Sequence, residues 1–143
     1  HQQEKLVALR NAVLNVAVGH APEEDLRQLF LNFIDVCTET HIHLLSLMNG
    51  PEQWGRKHGV EFPTSWSMGG ITQAIEHAFP DLRGKEQIYK VIWRDLYQRG
   101  LINTEGLGTT MTRQGILSRR TTELGSKLID FLSEPAELSG ALC

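Results

Sequence analysis

The last third of the chain, Gly84 to Pro135, constrains the fold more than any other stretch. A helix-period segment over about 85–99 buries Ile88, Val91, Ile92 and Leu96, with Tyr89 beside them. It stops at Gly100, a C-cap glycine, and runs straight into Leu101-Ile102-Asn103, a first short strand. The turn-rich stretch Glu105-Gly106-Leu107-Gly108-Thr109-Thr110 follows, and Gly115 to Arg120 returns as a second strand. Thr121 or Thr122 then caps a last amphipathic helix that packs through Leu124, Leu128, Ile129 and Leu132. Few architectures accept the order helix, strand, turn, strand, helix in so short a span. The polar-to-small tail after Pro135 reads as frayed.

The rest of the chain reads as helical scaffold. Residues 2–18 are helical, with Leu6, Leu9, Val13 and Val16 at 3-4-3 spacing and Gly19 as the stop. That stripe suits packing on a neighbouring helix; it also suits a dimerisation helix. Residues 22–48 read as one long helix. Pro22 sits at its start, acidic residues fill the first turn, and Asn49-Gly50-Pro51 closes it. At 1.5 Å per residue it would be ~40 Å long. The loop 50–66 holds Trp54 and Trp66 and accommodates a short helix from Pro51 to His58. Ser67 or Thr72 caps a further helix whose buried side is Ile71, Ala74, Ile75, Ala78 and Phe79, closed by Pro80.

With 143 residues the chain fits one domain or two small ones sharing a core, and 41% apolar and 22% charged residues place it among ordinary globular proteins. No apolar run approaches the ~20 residues that span a bilayer, so no membrane role is expected. The chain begins at His1, and the helix pattern is already running by Leu6, as in a fragment or a tag remnant with native sequence upstream. Cys37 in mid-helix and Cys143 at the end are too far apart to suggest a structural disulfide; a reducing, cytoplasmic setting follows.

Charge is unevenly spread. Residues 1–64 hold 5 Lys/Arg against 8 Asp/Glu, net −3, whereas residues 83–120 hold 8 Lys/Arg against 3 Asp/Glu, net +5. The segment with the strand–turn–strand pattern is therefore the basic one, as expected of a surface that meets phosphates. Gln87, Lys90 and Arg94 share one side of the 85–99 helix, where Arg and Gln suit bidentate contacts to base edges and Lys90 suits a phosphate. Arg83, Lys85, Arg113, Arg119 and Arg120 supply further positive charge. The alternative is a merely solvated face. Trp93 lies between the two sides of its helix, where it either packs or contributes to an interface.

Other chemistry finds little footing. His41 and His43 stand two apart, on different helix faces, so they do not readily share an ion; Cys37 and His41 are one turn apart but lack a third ligand. Asp35 and Glu39 are helix neighbours rather than an acid/base dyad, Gly106-Leu107-Gly108 lacks the context of a phosphate loop, and Met68-Gly69-Gly70 is a helix entry. No catalytic residue, cofactor or metal is expected.

Residues 67–133 resemble the winged helix-turn-helix superfamily. The resemblance lies in Asp95-Leu96 leading to Gly100-Leu101-Ile102, followed by Thr122-Glu123-Leu124-Gly125. It implies a recognition helix over 85–99 and a wing after it, as in bacterial transcription regulators and in winged helices that do not bind DNA. Leu29 to Trp54, with a long Asp/Thr/His-containing helix and a Pro-Trp loop, resembles the abortive-infection alpha group of bacterial proteins, and this likeness extends over about 5–135. It implies a bacterial or phage-associated cytoplasmic protein and transfers no catalytic residue.

The expectation is thus a mainly α protein. N-terminal helices, one of them long, with the loop over 1–66 pack on a winged helix over 67–135 that carries a two-stranded antiparallel hairpin; a tail covers 136–143, and the whole forms one compact unit. The expected partner is double-stranded DNA, with a homodimer through the N-terminal helices beside it. The rival expectation is a protein-interaction or dimerisation module whose winged helix does not bind DNA.

Overall fold

The structure, a computed structural model, describes residues 3–136. The tail expected after Pro135 and Cys143 fall outside the described residues, Ala136 excepted. The protein is mainly helical with a small two-stranded antiparallel sheet. In chain order it comprises α1 (Gln3–Ala17), α2 (Glu24–Val36), α3 (Glu39–Met48), α4 (Pro51–His58), β1 (Met68–Gly69), α5 (Ile71–Ala78), a 3-10 turn (Pro80–Leu82), α6 (Glu86–Gln98), β2 (Met111–Thr112), α7 (Arg113–Ile116) and α8 (Glu123–Phe131).

Among the described residues one apolar core runs through every α-helix except α4, which lends it only the half-buried Trp54, and centres on α3. Leu44, Leu45, Leu47 and Met48 are fully enclosed there. A helix this short and this apolar has no outer face to give away, so α1, α4, α5, α6 and α8 all pack around it.

The expected long helix over 22–48 is divided. Cys37 is extended (ψ 159°), and Thr38 caps a new helix, its hydroxyl accepting from the His41 backbone N–H at 3.3 Å. The Thr38 backbone N–H in turn donates to His41 Nδ1 at 3.0 Å. Thr38 and His41 thus form a capping box with imidazole in the place of the usual Glu or Gln. The periodicity of the two helices is continuous across the break, which is why the apolar pattern conceals it. Cys37 is therefore not mid-helix but at the end of α2, where it is buried and free; burial pushes its thiol pKa up.

The first helix is turned round relative to its own aliphatic stripe. Ala8, Asn11, Ala12 and Asn15 are buried, whereas Leu6, Leu9, Val13 and Val16 face outward. The two asparagines decide this. Asn11 Nδ2 donates to the Leu132 carbonyl, and Asn15 Nδ2 to those of Phe131 and Ser133, each at 2.9 Å. These carbonyls lie in the last turn of α8 or just beyond it, where intrahelical donors run out. The small Ala8 and Ala12 on the same face let the two backbones approach.

The C-terminal part keeps the expected helices but exchanges strand partners. α5 buries Ile71, Ala74, Ile75 and Ala78, with Gly70 rather than Ser67 or Thr72 at its cap position. Thr122 caps α8, accepting from the Gly125 N–H at 3.0 Å, and Leu128, Phe131 and Leu132 enter the core. The paired strands are Met68–Gly69 and Met111–Thr112. Leu101–Asn103 contributes a bridge, Ile102 to Thr121. The stretch expected as a second strand, Gly115–Arg120, instead begins inside α7, because Thr112 accepts from the Gly115 N–H and starts a helical turn that buries Ile116.

Candidate nucleic-acid interface

α5, the 3-10 turn and α6 follow one another in the chain, with α5 packed on the turn, and β1 pairs with β2 at the far end of the turn-rich stretch that follows α6. Gly84 (φ +79°) makes the tight entry into α6, and Gly100 (φ +77°) ends it, each in the left-handed region where a side chain is strained.

The burial of α6 sets what it can offer. Its inward residues are Tyr89, Ile92, Trp93 and Leu96. Ile88 and Val91, expected inside, are 59% and 64% exposed, and Trp93, a candidate interface residue, is 1% exposed. Both sets of residues satisfy a helical period. The aromatics win the interior because they bury more area and because each finds a partner for its polar end. Trp93 Nε1 donates to the Thr104 carbonyl at 2.9 Å, and the Tyr89 hydroxyl donates to Glu76. Burial and this carboxylate hold the Tyr89 phenol far above its ordinary pKa.

The outer face of α6 then carries Gln87, Lys90, Val91 and Arg94 as one patch at i, i+3, i+4 and i+7, all exposed. Arg83 and Lys85 are exposed just before it. Lys90 pairs with Glu86 at 3.0 Å. Among the described residues, the side chains of Arg83, Lys85, Gln87 and Arg94 have no hydrogen-bond or ion-pair partner, so nothing must be broken for them to meet a ligand.

The other three sequence-predicted residues are engaged elsewhere. Arg113 donates from Nε to the Pro63 carbonyl at 2.8 Å and from Nη2 to that of Phe62 at 3.1 Å, with Glu52 at 3.8 Å, and so ties the loop before β1 to α7. Arg119 donates to Asn49 Oδ1 at 2.9 Å and to Ser126. Arg120 is half-buried. It donates to Thr104 Oγ1 at 2.8 Å and to the Gly115 carbonyl at 2.7 Å, while its own N–H binds the Met48 carbonyl at 2.8 Å. Burial lowers its pKa from the ordinary arginine value. Of these arginines, Arg120 alone reaches the start of the turn-rich stretch, at Thr104. The basic cluster of the sequence is therefore two sets: one on the outer side of α6 and one tied to other parts of the fold by hydrogen bonds.

One polar junction lies outside every sequence expectation. With Nδ1 accepting from Thr38, the His41 proton sits on Nε2, which donates to Asp95 Oδ2 at 2.9 Å. Asp95 also accepts from Arg99 Nε at 3.0 Å, and the Arg99 guanidinium lies 5.9 Å from the Phe33 ring centroid. Burial lowers the His41 pKa against the pull of Asp95. Burial alone would raise the Asp95 carboxyl, but its bonds to Arg99 and His41 outweigh that and hold it low. The junction pins α2 and α3 to α6 and thereby fixes the orientation of the outer patch. The Thr38-x-x-His41 spacing was its only trace.

A groove of about 940 Å³ opens between α1, α3, α4 and the end of α8. Phe79 stacks on His43 at 4.9 Å and Trp54 on His58 at 4.4 Å, and His43 is paired with Glu4. None of the eight predicted residues lines it. His41 and His43 leave α3 in different directions, toward Asp95 and Glu4. No helix among the described residues is long and apolar enough to cross a membrane. Comparison of the chain with protein-family models, curated proteins and solved structures finds no match.

Proposed function

We propose that the protein is a nucleic-acid-binding module of the winged-helix type, which reads double-stranded DNA with the outer face of α6. The observation that carries the reading is the uncommitted patch: Gln87 and Arg94 beside Val91, flanked by Arg83 and Lys85, with Lys90 on the same face in an exposed pair with Glu86. Arg and Gln present fork-shaped donors to base edges, Val91 suits a thymine methyl, and the flanking cations suit phosphates. α6 is 13 residues, about 20 Å long, and fits a major groove of ~12 Å width end-on or lengthwise. The turn-rich stretch Glu105–Thr110 after α6 is the candidate wing, and Arg120 bonds Thr104 at its start. The resemblance to abortive-infection proteins gives this reading a phage-defence setting.

Binding of labelled mixed-sequence duplex DNA across a salt series tests it. The expected result is affinity that falls steeply with salt in the native protein. Lys90→Glu/Arg94→Glu abolishes it at unchanged circular dichroism, and Lys85→Ala alone lowers the log–log salt slope by about 1. A folded protein that binds no duplex at low salt refutes the reading.

A further inference from the structure

α1 places its large aliphatic side chains on the side that a monomer should keep polar. Leu6 is 60% exposed, Leu9 43%, Val13 59% and Val16 42%, while alanine and asparagine fill its buried side. The stripe has the a/d spacing of a coiled-coil seam over two heptads. We propose that α1 pairs with α1 of a second copy of this chain, antiparallel, across a two-fold axis. This goes beyond the nucleic-acid reading and stands without it.

The choice of a second copy rests on self-complementarity. In an antiparallel seam an a residue meets a d residue. Leu6 then lies against Val16 of the second copy and Leu9 against its Val13, and symmetry repeats both layers. Each of the four layers joins one leucine to one valine, so the helices stay equidistant along the seam. Parallel pairing would set Leu against Leu at one end and Val against Val at the other. It would also bring Lys5 opposite Arg10 of the second copy twice. The antiparallel arrangement brings together only the two Arg10 side chains, both at the solvent edge.

The area fits a weak dimer. The four stripe residues offer on the order of 350 Å² per copy, and with flanking residues a pair buries somewhat under ~1,000 Å², in the range of weak, transient interfaces. Micromolar association is expected, tightened when two copies share one duplex.

Sedimentation velocity over a concentration series tests the proposal, with Leu9→Glu/Val13→Glu beside the native chain. Both positions are exposed, so the variant should keep its fold, checked by circular dichroism. The native mass should climb from one chain toward two as concentration rises, and the variant should stay at one. A native chain that remains single at the highest concentration, or a variant that associates equally, overturns the proposal. Orientation is read by cross-linking in a Cys143→Ser background. A mixture of Leu9→Cys and Val13→Cys proteins should form disulfide-linked pairs of one with the other. Val13→Cys alone cross-linking as readily would overturn the antiparallel seam.

Discussion

Replacing His41 by alanine should cost about 3 kcal/mol at about pH 8, and the cost should shrink in acid. The His41 side chain is 9% exposed and serves three neighbours. Its Nδ1 completes the capping box at Thr38, and loss of such a cap costs ~1 kcal/mol. Its Nε2–H serves the Asp95 carboxylate, a charged acceptor whose lost partner costs ~1.5–3 kcal/mol. Its ring meets Phe33 edge-on at a centroid distance of 6.0 Å, worth ~0.5–1 kcal/mol. The three act as one network, so the total falls below their sum. The pH dependence follows from proton counting. The folded pKa of His41 lies below the ordinary imidazole value of 6.5, so the unfolded chain binds more protons between the two values. The stability that neutral His41 contributes is complete above 6.5 and is lost as pH falls toward the folded value. Asp95, also held below its ordinary value, loses its contribution only at lower pH, beneath 3.8. Urea unfolding of the native chain and His41→Ala, followed by circular dichroism at about pH 8 and about pH 5.5, measures both effects. A difference below ~1 kcal/mol at the higher pH, or one that does not narrow at the lower, would refute the network as drawn.

Two further outcomes follow from side chains with no freedom to move. A methyl group on Gly125 would lie 2.0 Å from the Leu101 carbonyl oxygen, a backbone atom, so Gly125→Ala should destabilise by ~2–3 kcal/mol in thermal or urea melts. Arg120→Ala takes one donor from the Gly115 carbonyl, which keeps the Ser118 N–H, and one from the Thr104 hydroxyl, which keeps Asn103 Oδ1, and should cost ~1–2 kcal/mol; the salt slope of DNA binding by the folded variant should match that of the native protein, because the half-buried Arg120 already directs both Nη groups inward.

The sequence determined the helices, their glycine stops and the helical class, since period, Gly100 and Thr122 act over a few residues. It could not say which side of a helix would be inside. On α1 the aliphatic stripe and the Ala/Asn face both obey the helical period, and the carbonyls at the end of α8, more than a hundred residues away, chose the second. On α6 the choice between Ile88/Val91 and Tyr89/Trp93 waited on Glu76 and the Thr104 carbonyl. The same applies to charge. Composition marked 83–120 as basic, but only the packing separated Arg83, Lys85 and Arg94, left to solvent, from Arg113 and Arg120, consumed by backbone carbonyls. The break at Cys37–Thr38 and the pairing of β1 with β2 belong with these. Local pattern fixes which residues share a face; the distant groups that satisfy their polar atoms decide where the face points.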